Sequence, residues 1–159
     1  MIDPHLALKL AHLIGASVLL GTGTGIGIAF LMWMADRTAD AAVVAATARI
    51  VVVADATFAA TAAIVQPVTG VALARVMGVS LLEPWIVSSF VLYLLVGACW
   101  LPVVWIQVKL RDLACAARDA GTPLPAHYHR LFRIWFILGW PAFGGVIAIF
   151  ALMIAKLPL

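Results

Sequence analysis

Four histidines, His5, His12, His127 and His129, are the side chains of this sequence best suited to hold a metal or a cofactor. Imidazole suits iron, copper and zinc, and it is the usual axial ligand of haem. A helix turns about 100° per residue, so the step from His5 to His12 returns to within about 20° of one direction, with Lys9 close beside them. The two rings then stand about 10 Å apart along the axis, too far to grip opposite faces of one iron without a break in the helix. A second ligand has to come from another helix. Met153 lies three residues before Lys156, as His12 lies three after Lys9, which puts it at a matching depth for a His/Met pair. Lys9 and Lys156 would there neutralise haem propionates, although lysines that snorkel to a membrane surface are commonplace. The plainer alternatives are a hydrogen bond from His12 to a facing helix, an interfacial His5, and a Met153 that only packs.

His127 and His129 are about 200° apart if helical, so they converge on copper or zinc only as an extended segment ahead of a helix. Otherwise they are interfacial. Cys99 and Cys115 show no metal-ligand spacing and are badly placed to bridge, one mid-membrane and one in a loop, so they read as small inert side chains. Asp55 stands about two turns beyond Arg49, where an isolated carboxylate either protonates or finds a cation. Arg49 or Arg133 is the expected partner, with a proton relay or a cofactor rim as the alternative role. Thr57, Thr61, Gln66 and Thr69 make the same helix more polar than its neighbours, as an inward face or interhelical hydrogen bonds would require. Gly21, Gly23, Gly25 and Gly27 superficially suggest a phosphate loop, but no GK[ST] ending follows them. They read instead as small-xxx-small pairs against which a helix or a flat cofactor can approach closely.

These residues have to be positioned by elements that live in lipid. The 159 residues are 65% hydrophobic and 11% charged, with mean hydropathy +1.15, far from the roughly quarter-charged makeup of soluble domains. Uncharged runs extend from Leu10 to Ala35, Ala56 to Ala74, Pro84 to Val108 and Ile134 to Ala155, each near or above the roughly 20 residues that cross a bilayer core. The runs lack polar alternation, and four strands could not close a barrel, so the fold class is all-α: a four-transmembrane-helix bundle in one integral membrane domain. Helices are expected over about 4–34, 41–76, 84–117 and 126–156. Asp3-Pro4 is an N-cap followed by proline at the first helical position, Pro67 predicts a kink, and Gly121 to Pro125 is the clearest turn. The first span is expected to be retained, since no basic region precedes it and its run exceeds a signal-peptide core.

Net charge of +3 and a pI near 9.2 reflect basic residues flanking apolar runs, so lipid is the expected partner and nucleic acid is not. Arg37, Arg49, Lys109, Arg111, Arg118, Arg130 and Arg133 lie on the side of the first and third loops, against Lys9, Arg75 and Lys156. That asymmetry places those loops in the cytoplasm of a bacterium and both termini outside its inner membrane. Trp33, Trp85, Trp105 and Trp135 read as an aromatic belt, while Trp100 and Trp140 lie deeper, where they would line a cavity. Glycine faces left unused inside one bundle would allow a homodimer.

Lys9-x-x-His12-x-x-Gly15, Gln66-Pro67-x-Thr69-Gly70, Leu92-Tyr93, Gly97-Ala98-Cys99-Trp100 and the stretch His127 to Trp135 resemble a bacterial family of predicted integral membrane proteins of unknown function, over almost the full length. That family is distantly similar to the HemJ-type protoporphyrinogen oxidases and the CopD copper-resistance membrane domain, which also carry K-x-x-H on an early helix. The resemblance implies a haem role for His12. The later lysine of the HemJ type has no counterpart after Trp85, where Ile86, Val87, Ser88 and Ser89 follow.

Three functional readings follow. The leading one is a haem b protein with His12 as metal ligand, His5 and Lys9 at the cofactor, and a role in electron transfer or in oxidation of a porphyrin- or quinone-type substrate through an unidentified redox partner. Copper handling is the second, motivated by His5, His12, Met153 and the His127/His129 pair. The third is a non-catalytic packing or assembly factor built on the glycine-rich first helix.

Overall fold

A computed structural model describes residues 3–29 and 40–156. The expected end of the first helix at Met34, the loop residues Asp36 and Arg37, and Trp33 lie outside the described residues. Four helices are long and apolar enough to cross a membrane: α1 (Pro4–Ala29), α2 (Ala41–Val76), α3 (Pro84–Ala120) and α4 (Ala126–Ala155). The described residues contain no strand. Asp3 and Gly121 mark helix ends as the sequence proposes, and Asp40 adds a further cap. Asp3 accepts a hydrogen bond from the His5 amide and Asp40 one from the Ala42 amide, satisfying donors that a helix start leaves free. Gly121 ends α3 with φ of 62°, a left-handed conformation that glycine adopts without steric cost.

One feature is absent from the sequence reading. α2 is interrupted by a π-helical turn over Asp55–Ala59, where the Ala60 amide reaches the Asp55 carbonyl. Such turns insert one extra residue into an α-helix and are frequent at functional sites.

The two halves of α2 serve different neighbours. Its first half packs on α3 and its second half on α1, while α3 and α4 form the most extensive pair. The tight core lies toward the α3–α4 turn, where Val44, Ala45, Ala48 and Val51 meet Val103, Ile106, Leu110 and Ala114 of α3 and Tyr128, Leu131 and Trp135 of α4. Spacings of three and four residues put each set on one helical face, and the alanines allow close backbone approach. Elsewhere large apolar side chains such as Ile50, Ile64, Leu94 and Ile154 point outward, as lipid-facing positions do. α1 meets α4 only briefly, and the bundle stays open between them.

Candidate functional site

Two polar constructions stand inside this apolar frame. The first fastens α1 to α2. His12 lies about 12 Å into α1 and is half-buried, with Nδ1 2.9 Å from the Thr69 hydroxyl. That hydroxyl donates back to the Val65 carbonyl at 2.8 Å, and a hydroxyl has one proton to give. Nδ1–H is therefore assigned as the donor to Thr69, which leaves the Nε2 lone pair free, and among the described residues Nε2 has no hydrogen-bond partner. About one turn before Thr69 on α2, the Gln66 side-chain amide donates to the His12 carbonyl at 2.9 Å. Two glycines make this contact possible. A Cβ on Gly15 would collide with the Gln66 amide nitrogen, and one on Gly70 would come within 3.3 Å of His12 Cε1.

The second construction is a cavity of about 570 Å³ between all four helices. Its walls are almost wholly apolar, from Leu19, Gly23 and Gly27 of α1 to Phe136, Trp140 and Phe143 of α4. Ile28, Ile64, Leu101 and Trp140 line it yet are more than half exposed, so its mouth faces the hydrocarbon rather than an aqueous surface. At one end sits Asp55, 3% exposed, displayed by the π turn. Trp100 Nε1 donates to its Oδ1 at 3.3 Å. Gln107, 2% exposed and with its amide oriented to satisfy both neighbours, donates to Oδ2 at 2.9 Å and accepts from Trp135 Nε1 at 3.3 Å. A carboxyl group held away from water is thus met by Trp100 and Gln107 of α3, with Trp135 of α4 holding Gln107 in place.

A backbone detail ties the same wall together. Pro67 has no N–H, so the carbonyl four residues earlier, that of Ala63, loses its helical partner. The Tyr93 hydroxyl of α3 donates to that carbonyl.

Several expectations change here. Neither Arg49 nor Arg133 pairs with Asp55: both are exposed, and the ion pairs among the described residues are Arg111–Asp112 and Arg118–Asp119. Trp135 is buried in the core instead of standing in an interfacial belt, whereas Trp105 is exposed, with Lys109 5.7 Å over its ring. Trp100 and Trp140 do line a cavity. α4 begins at Ala126, so His127 and His129 lie on helix and diverge by about 200°. The extended His-x-His arrangement does not form. Gln66 and Thr69 make interhelical bonds, but Thr57 and Thr61 are exposed, with the Thr61 hydroxyl donating to the Thr57 carbonyl of its own helix. Among the described residues no helix packs against Gly21, Gly23, Gly25 or Gly27, where an added Cβ would meet nothing within 4 Å; Gly23 and Gly27 face the cavity. His5 and Met153 are half-buried and Lys9 is exposed. Cys99 and Cys115 are free thiols. Gln107, which closes the Asp55 array, carried no sequence signal beyond being a lone amide near the end of an apolar run.

Comparison with known proteins gives one match. A family model described as "Predicted integral membrane protein (DUF2269)" matches residues 6–157. No curated protein and no solved structure matches the chain.

Proposed function

The chain belongs to the family of predicted integral membrane proteins DUF2269, and from that premise we propose that it is a haem b protein of the bacterial inner membrane, with His12 as the iron ligand. The observation that carries this reading is the state of the His12 ring. Its Nδ1–H is spent on Thr69, the arrangement by which metal-ligating histidines are oriented and made more basic, and its Nε2 is left with a lone pair. The donor fits the group, because one neutral imidazole is the usual proximal ligand of a b-type haem. Lys9, three residues outward on the same helix and exposed, supplies a cation for a propionate. His5, one turn further out, stands at the rim. Haem bound there would supply one-electron transfer within the membrane. The protein's part is to fix the imidazole tautomer through Thr69, hold α1 against α2 through Gln66, and keep water out.

The absorption spectrum of the purified chain, expressed with adequate haem, tests the assignment. A Soret band is expected, lost in His12→Ala and weakened in Thr69→Val, since removing such an outer hydrogen bond typically costs about 10- to 100-fold in affinity. Absence of the band in the native chain, or its persistence in His12→Ala, refutes the assignment. The same Thr69 bond favours a second reading in which His12 only clasps two helices. It predicts no chromophore and a loss of stability in His12→Ala.

A further inference from the structure

We propose that the cavity between the four helices is a binding site for a lipid-soluble hydroquinone, whose hydroxyl engages the Asp55 carboxyl group. The mouth faces hydrocarbon, so an occupant arrives from the bilayer and has to be soluble there. At about 570 Å³ the space falls within the roughly 300–1,000 Å³ of ordinary ligand pockets, and its apolar wall with a few convergent polar groups is their usual composition. Trp100, Phe136, Trp140 and Phe143 contribute ring surface, which favours a flat ring as the buried head.

The polar end decides what that ring carries. Thr24 and Tyr93 also line the cavity, but their hydroxyls are spent on the Leu20 and Ala63 carbonyls. Asp55 is different. Each of its oxygens takes one donor, Trp100 on Oδ1 and Gln107 on Oδ2, and a carboxyl oxygen has a second lone pair to offer. With no cation beside it among the described residues, a buried carboxyl group is held neutral, so its carbonyl oxygen keeps a free lone pair while its hydroxyl can donate, and this end recognises a head group that both donates and accepts, as a phenolic hydroxyl does. A hydroquinone presents hydroxyl donors on an aromatic ring and brings an apolar tail that the remaining wall can cover. His12 is not among the lining residues, so hydroquinone binding here and haem ligation there stand or fall separately.

The test uses the delipidated full chain in phosphatidylcholine nanodiscs, titrated with decylubiquinol and with the same compound methylated at both phenolic oxygens, while tryptophan fluorescence is followed. Saturable binding of decylubiquinol is expected, with the methylated probe weaker by about tenfold, the worth of one good hydrogen bond. Gly139 lines the cavity and an added Cβ there meets nothing within 4 Å, so Gly139→Leu fills the space without disturbing the fold. It should abolish binding of both probes while circular dichroism and thermal unfolding stay as in the native chain. Asp55→Leu removes both the acceptor and the donor that the head group meets. It should bring decylubiquinol down to the affinity of the methylated probe. Equal affinity for the two probes in the native chain overturns the role of Asp55, and decylubiquinol binding that is absent, or unchanged in Gly139→Leu, overturns the site.

Discussion

Removing one hydroxyl from the wall of the cavity separates a backbone effect from a side-chain one. In Tyr93→Phe the Ala63 carbonyl, already deprived of a helical donor by Pro67, loses the donor that replaces it. A buried acceptor left unpaired costs about 1–3 kcal/mol, while interhelical hydrogen bonds measured in a membrane protein average about 0.6 kcal/mol and reach about 1.7. Because Pro67 rules out the ordinary rescue, the cost here belongs near the top of that range, about 1.5 kcal/mol. In a Pro67→Ala background the restored amide of residue 67 can donate to Ala63 itself, and the same Tyr93→Phe change should then cost about 0.5 kcal/mol. The expected coupling is therefore about 1 kcal/mol, which a double-mutant cycle resolves. Equilibrium unfolding of the four variants in bicelles, by mixing with a denaturing detergent, gives all the terms. Equal penalties in both backgrounds would show that the hydroxyl acts elsewhere, and no penalty in either would show that the carbonyl does not need it.

Two further outcomes bear on the frame. Gly15→Ala drives a methyl group into the Gln66 amide and should destabilise the bundle by about 1–3 kcal/mol, as overpacking does; in a Gln66→Ala background, where the obstacle is gone, most of that loss should vanish in the same unfolding assay. Alkaline phosphatase fused after Lys156 should be active and fused after Gly121 inactive, as basic residues on the cytoplasmic side dictate; the opposite pattern would reverse the proposed orientation.

The spans were legible because charge is so costly in hydrocarbon that its absence alone marks them, and Asp3, Pro4 and Gly121 mark helix ends by their own geometry. The seam at His12 was half legible. An ionisable side chain inside a span needs a partner, and Gln66 and Thr69 were conspicuous polar residues on another helix, but no spacing rule pairs them with α1. Asp55 was misread for an instructive reason. Charge suggested Arg49 or Arg133, whereas the carboxylate faces inward and those long side chains reach outward, so amide and indole groups far away in sequence satisfy it instead. Trp135 stands near the end of an apolar run, where tryptophans usually form a belt, yet its ring belongs to the set that touches α2 and α3. The glycines of α1 announced that something could come close without saying what, and no helix does.

The π turn in the second span has a consequence for the whole architecture. By absorbing one surplus residue, the turn sets everything after it about 100° from where an unbroken α-helix of the same sequence would place it, so a single rod offers one side to α3 and a different side to α1. The two contacts are thereby phased like meshing gears of unequal pitch. Wound as an unbroken α-helix, the same sequence would retain every apolar run and still cross the bilayer, but it would have to choose which neighbour to keep, and the acid that the turn displays would rotate away from the indole that meets it.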